Sequence, residues 1–243
     1  MDKNQRTLWN ENHKKLKAHM NKVEQHDDAI QLFLIQHSLL HSSAISGIAD
    51  VTLEDVLLKD LDEAAFRTYP VSNPDTKNSI AWHLWHITRI EDMTMNILVA
   101  NDQQVLNTTN WLEKMKIEFP HSGNDMSQED IATLSSKIDI PSLLQYRAAV
   151  GKQTQHVISS LEPGQFKMPV NQKRINRLFD EHAVIQQSKW LADYWSKKDI
   201  AGLILMPATR HIFLHLNKCI RIKDKLMTEA LNSKRLQTSS KLV

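Results

Sequence analysis

Cysteine occurs once in this chain, at position 219, so no internal disulfide can staple the fold. A lone cysteine also suits a reducing compartment, and a cytoplasmic location is the expectation. Glycine and proline are scarce too, with five and seven residues among 243. Turns must therefore be few and elements long. Alternating runs of Val, Ile, Thr and Tyr are hard to find, which argues against a sheet. The longest apolar runs, such as "LFLI" and "GLILM", fall far short of a membrane span, and the opening "MDKNQRTLWNENHKK" has charge without an apolar leader stretch. Neither sign of charge dominates: 30 basic against 28 acidic residues leave +2, with no electrostatic footprint for nucleic acid or an anionic membrane surface. The Lys/Arg cluster from Lys218 to Lys241 reads as a solvated helix end and a frayed tail.

What is present is helical periodicity. Ile30, Phe33, Leu34, His37, Leu40 and Ala44 return to one face of a helix expected from Val23 to Ser46, and Leu8 to Met20 can add a helix before it. Thr52, with Asp55 three residues on, opens a shorter helix in "TLEDVLLKDL". The loop "TYPVSNPDTKNS" follows, and Ser79 then caps a long helix from Ile80 to Ala100. Between Asn101 and Ile140 the signals are mixed, with "EFPHSGND" as the clearest break and short helices near Trp111 and Ile131. Pro141 opens a helix that "EPGQ" ends, another is expected from Arg177 to Trp195, and the last from Ala208, just after Pro207, to beyond Leu226. Such a string of amphipathic helices, each needing a partner for its apolar stripe, predicts an all-α fold: one helical domain over residues 1–243 with its core at about 23–226.

Histidines occupy the apolar faces of two of these helices. In "IAWHLWHITRIEDMTM", Trp82, Ile90, Met93 and Ile97 fall within about 40° of His86 on a helical wheel, while Thr88, Arg89, Glu91 and Asp92 lie further round. In "ATRHIFLHLNKCIRI", His211 and His215 are four residues apart and project from one face. Two imidazoles at that spacing can chelate one divalent ion, and a third nitrogen from a facing helix would leave coordination positions open, as a catalytic metal requires. The pair His37 and His41 in "HSLLH" has the same spacing, and spacing alone does not choose between the pairs. Interior histidines also serve as ordinary packing residues. His13, His19, His26, His121, His156 and His182 read as surface or packing positions, Cys219 as core filler with a fourth ligand or a reactive thiol as the alternative, and Trp82 and Trp85 as packing or pocket wall. Phe213, Leu216 and Ile220 form a second apolar stripe on the last helix, suited either to a homodimer contact or to burial within the monomer.

"NSIAWHLWHITRIED" resembles the first-histidine motif of the DinB/YfiT-like superfamily of metal-dependent proteins, and "RHIFLHLN" resembles its C-terminal HxxxH helix. The resemblance covers roughly Val23 to Leu226. It implies a four-helix bundle in up-down-down-up order, here with extra short helices, and a divalent metal, nickel or zinc, held by His86, His211 and His215. His83 falls where the family requires no ligand. One departure is that "LNK" follows His215, where many members have a residue and then "GQ". Relatives of this type include mycothiol-dependent maleylpyruvate isomerase, bacillithiol transferases and the thiol-binding part of ergothioneine-forming enzymes. The resemblance thus implies activation of a low-molecular-weight thiol for S-transfer or isomerisation of a small-molecule substrate. Metal-dependent hydrolysis is the alternative chemistry, with Glu91 and Arg210 as candidate assisting groups, although surface charge and an exposed ion pair are their ordinary roles. A non-catalytic bundle holding metal or a small ligand, and a helical interaction module, are the readings from other classes.

Overall fold

A computed structural model of the chain describes residues 3–43 and 51–239. The described residues form helices and no strand; only two isolated bridges, Asn73 with Thr76 and Pro169 with Asp199, have extended pairing. In chain order the helices are α1 (Lys3–Met20), α2 (His26–Ser38), α3 (Leu53–Leu58), α4 (Glu63–Arg67) and α5 (Ile80–Asp92), the last continuing as a π-helical stretch over Met93–Ala100. Then come α6 (Trp111–Lys114), α7 (Gln128–Lys137), α8 (Ile140–Ser159), α9 (Gln172–Asp180), α10 (Lys189–Trp195) and α11 (Ile200–Leu205). A second π stretch, Met206–His211, joins α11 to α12 (Ile212–Ser239). Among the described residues no helix is long and apolar enough to cross a membrane.

Helices α2, α5, α8 and α12 are the bundle, and their directions follow from which ends meet. Ser79, at the start of α5, bonds Ser135 shortly before α8, and Asp92 at its far end bonds Tyr146 further along α8, so these two helices run the same way. Helix α2 opposes them: His26 at its start reaches the Leu161 carbonyl beyond the end of α8, whereas Arg147 reaches the Leu40 carbonyl beyond the end of α2. Helix α12 also opposes α5, since His83 faces His215 while Lys225 bonds Ser72, upstream of α5. The order is up-down-down-up.

Local chemistry starts these helices where the sequence said it would. Thr52 and Asp55 form a complete capping box, and the side chains of Ser79 and Asp139 accept the amides of Trp82 and Ser142; each such cap stabilises by about 1 kcal/mol. The ends are less local. Helix α2 stops at Ser38, short of the expected Ser46, because the Leu39 carbonyl accepts from the Leu53 amide and the Leu40 carbonyl from Arg147. Ala44 and Ser46 themselves lie outside the described residues. The helix expected from Arg177 to Trp195 is two helices, α9 and α10, because His182 takes a left-handed φ of 54° and the chain folds back to bury Ala183 and Val184. Nor does the last helix start after Pro207. It begins at Ile200 and passes through Pro207 as a π stretch, whose wider turn tolerates a residue without an amide hydrogen.

Helix α5 is the hub: every residue from Ile80 to Val99 is buried. Its first half, through Ile87, packs into one apolar cluster with Trp9, Leu57, Leu143, Leu216 and Cys219; its second half, from Ile90, packs into another with Phe33, Ile158, Trp195 and Leu203. Thr88, Arg89, Glu91 and Asp92 lie at the level where the two clusters divide. The wheel placed these four off the apolar stripe, yet burial surrounds the helix, so each needs an internal partner. Arg89 donates to Asp92, Tyr146, Gln104 and the Pro120 carbonyl at 2.6 to 3.1 Å, and Asp92 accepts the amides of Val105 and Leu106. On α12, the stripe of Phe213, Leu216 and Ile220 packs inside the chain: Trp9 of α1 stacks on Phe213 with ring centroids 3.8 Å apart.

Candidate metal centre

Three imidazoles converge where α5 meets the start of α12. One ring nitrogen each from His86, His211 and His215 can be chosen so that all lie within 4.8 Å of one another. His86 is buried, and the other two are half-buried. Ring centroids are 5.1 Å apart for His86 with either partner and 4.4 Å for His211 with His215. The four-residue spacing of the pair supplies its half of the geometry, and the antiparallel packing of α5 supplies the rest.

Hydrogen bonds fix what each ring offers. His86 Nδ1 lies 2.5 Å from the Ser122 carbonyl oxygen, so Nδ1–H donates and Nε2 keeps its lone pair. Trp82 stacks on the same ring at 4.5 Å and 10°. His215 Nδ1 is 3.0 Å from His83 Nδ1, and His83 Nε2 is 3.2 Å from Thr76 Oγ1. If His215 donates to His83 and His83 donates to Thr76, His215 Nε2 also presents a lone pair. His83 therefore stands behind a candidate ligand, on its outer side. His211 Nδ1 is buried with no hydrogen-bond partner among the described residues, so, unlike His86, this ring has no contact at Nδ1 that fixes its tautomer.

Electrostatics keep these rings neutral, the form that binds metal. Burial pushes His86 down to about 4, only partly offset by its bond to the Ser122 carbonyl. Burial likewise holds His83, His211 and His215 well below the ordinary histidine value, with the neighbouring imidazoles adding to the effect for each. Cys219, one turn beyond His215, is fully buried in the apolar core and burial raises its thiol pKa, so it is core filler.

The Ser122 carbonyl comes from the break "EFPHSGND". Arg89, one turn past His86, holds the Pro120 carbonyl, and Gly123 presses on Trp85 with φ of 82°; a Cβ there would come within 2.3 Å of the indole. Asp125 of the same loop accepts from Ser188 and from the Trp190 indole. A cavity of about 220 Å³ opens on the histidines, lined by His86, His211, Ile90, Asn124, Trp190, Leu191, Tyr194, Trp195, Met206 and Pro207. The loop was readable as a turn; its placement over α5 had no signal in the sequence. A larger cavity of about 480 Å³ lies beside Trp9, Gln36 and Leu53 and, among the described residues, is lined by no titratable side chain. A third, of about 370 Å³, is lined by His13, Lys17, Asp199 and Arg210 and does not reach the triad.

Neither Glu91 nor Arg210 lines the histidine cavity. Glu91 is not a surface charge: it is fully buried on the opposite side of α5, bonded to His37 at 2.6 Å and 3.4 Å from His41. Burial opposes ionisation of its carboxyl, and the imidazoles of His41 and His37 overcome that and hold it below the usual carboxylate range. Burial, aided by the Arg147 guanidinium, lowers His41 to about 3. Arg210 is not an exposed ion pair either: it donates to Asn10 at 2.5 Å and lies over the Trp9 ring.

Fold and site together define an all-α bundle with a half-buried three-histidine centre beside an aromatic cavity. The family model of the DinB superfamily matches residues 53–191, and the chain belongs to that superfamily. That span holds His86 and ends before His211 and His215. None of the curated proteins compared with the chain matches it. Among solved structures, the crystal structure of a conserved protein from Enterococcus faecalis is similar at 16% identity and a TM-score of 0.51, covering 80% of this chain and 96% of that one. At that identity the likeness concerns the fold alone.

Proposed function

We propose that this protein is a divalent-metal-dependent enzyme in which His86, His211 and His215 hold nickel or zinc and a low-molecular-weight thiol is activated for transfer to, or isomerisation of, a small electrophile. The observation that carries the reading is the conjunction of three imidazole nitrogens within 4.8 Å with an aromatic cavity that opens on two of the rings. A divalent ion with three neutral nitrogen ligands would keep its positive charge and favour thiolate over thiol.

The chain's own residues do the remaining work. Ser122 and Trp82 fix the plane and tautomer of His86, and His83 with Thr76 fixes those of His215. Trp190, Tyr194, Trp195 and Leu191 form an apolar wall suited to the body of an organic electrophile and to excluding water from it. Among the described residues, no carboxylate lines this cavity. Thiol and water must each give up a proton on binding, but a thiol starts near pKa ~8.5 and water at about 15.7, so the same ion would yield thiolate with less help from a neighbouring base; this favours the thiol reading.

Untagged protein, loaded with nickel or zinc, should accelerate loss of free thiol in the presence of a chromogenic aryl halide. The H211A/H215A variant should fold, judged by circular dichroism, yet lose about one ion per chain together with that activity. Retention of the full metal content by that variant, or no acceleration with any common cellular thiol, would sink the proposal.

A further inference from the structure

The second histidine pair is not idle packing. His37 and His41 of the α2 end meet Glu91 of α5 in a cluster whose chosen ligand atoms all lie within 4.8 Å of one another. It is sealed, with exposures of 0%, 2% and 0% for His37, His41 and Glu91. His37 Nε2 lies 2.6 Å from Glu91 Oε1. On the other side, His41 Nε2 faces Glu91 Oε2 at 3.4 Å, but neither atom has a hydrogen-bond partner, nor does His41 Nδ1. Two unsatisfied polar atoms facing each other in a sealed interior each carry a desolvation penalty of about 1–3 kcal/mol, which an ion bound between them would remove.

We propose that His37, His41 and Glu91 form a second divalent-cation site, enclosed by protein, that fastens α2 to α5. A simple ion pair of His37 with Glu91 satisfies one carboxylate oxygen and leaves Oε2 and His41 stranded; a cation would take up Oε2 and one ring nitrogen of His41 as well. No hydrogen bond joins Arg147 to Glu91: its Nε is bonded to Glu54 at 2.6 Å, its Nη2 to the Leu40 carbonyl, and its Nη1 has no partner among the described residues. Room for His41 is made by Gly151 in mid-helix α8, where a Cβ would lie 2.7 Å from the imidazole. Two nitrogens and one carboxylate oxygen suit zinc, nickel or iron rather than calcium or magnesium. Ligand atoms about 2.1 Å from a tetrahedral ion sit roughly 3.4 Å apart. The His41–Glu91 separation of 3.4 Å already matches that spacing, and the His37–Glu91 contact of 2.6 Å would widen on loading. With its three donors enclosed, the site is structural, unlike the His86 centre beside its cavity.

The test is metal stoichiometry with cobalt(II), counted by elemental analysis after chelation, reloading and desalting. The expected counts are about two ions per chain in the parent protein, one in H211A/H215A, and none in H211A/H215A carrying Glu91→Gln, with helix content checked by circular dichroism. Cobalt loading should also raise the unfolding temperature of H211A/H215A. One ion in the parent and none in a folded H211A/H215A variant overturns the second site and leaves the His86 centre standing, and no cobalt in the parent overturns both. One ion lost on Glu91→Gln but not on H211A/H215A does the reverse. An ion that survives Glu91→Gln in the H211A/H215A background lies elsewhere and also overturns the second site. Should that variant not fold, His41→Gln in the same background replaces it, and the H211A/H215A count with its thermal shift still decides.

Discussion

His86 Nδ1 and the Ser122 carbonyl oxygen lie 2.5 Å apart, joined by a loop that can approach α5 only because Gly123 has no side chain. A Gly123→Ala substitution meets two obstacles at once, a φ of 82° and an indole within 2.3 Å of the new Cβ. The loop should lift, and His86 should lose the partner that fixes its tautomer. Outer partners of metal-binding histidines are typically worth 10–100-fold in affinity. Competition against a chromogenic chelator should show a loss of about that size at the His86 centre with helix content preserved; unchanged affinity would mean that Ser122 does not orient the ring.

His83 gives a sharper distinction, because it touches His215 without belonging to the triad. His83→Leu should weaken metal binding by roughly 10–100-fold while the stoichiometry stays the same. Loss of the ion altogether would instead make His83 a ligand. Stoichiometry and affinity, measured on the same samples, separate the two roles.

Acid should destabilise the metal-free protein. Burial lowers His86 from 6.5 to about 4, so the unfolded chain takes up a proton that the folded chain refuses. The stability linked to this group is fully present above pH 6.5 and is lost as pH falls from there through about 4. A depression of that size corresponds to roughly 3 kcal/mol. Urea midpoints of chelator-treated protein should drop between pH 7 and pH 4.5, and a flat profile over that interval would contradict neutral burial of the histidines.

Arg147 and Glu54 form a buried pair at 2.6 Å, with exposures of 0% and 2%. Glu54→Gln leaves the guanidinium without its counter-charge, and breaking one side of such a pair costs about 3–5 kcal/mol. The double variant E54Q/R147M should recover much of that loss, although the Leu40 carbonyl then goes unpaired. Thermal unfolding of the two variants checks the order. A double variant less stable than Glu54→Gln alone would show that the Leu40 contact matters more than the ion pair.

Several elements were readable because their causes are local. Thr52 with Asp55 and Ser79 with Trp82 act over three residues, and Pro141 suits a first turn, so the starts of α3, α5 and α8 could be placed from residue types alone, although the Asp139 cap on Ser142 was not among the signals read. The His211–His215 ladder is likewise set by helix pitch. Helix ends that depend on distant partners were not readable. Arg147 reaches the Leu40 carbonyl across 107 residues of chain, and nothing near Ser38 announces it.

The sequence by itself determined an all-α chain, the faces on which its histidines stand, and two pairs with the spacing to share an ion. Spacing left both pairs open to His86, and resemblance alone named His211 and His215; the tertiary structure brings those three together and joins Glu91 to His37 and His41. His86 and Glu91 point to different sides of one helix, and periodicity, which orders residues around an axis, cannot say what packs against each side. Burial all round α5 was hidden for the same reason. Thr88, Arg89, Glu91 and Asp92 look solvent-facing until partners such as Tyr146, Gln104, Pro120 and His37 are brought to them, and only chain folding brings groups that far apart in sequence within hydrogen-bonding distance.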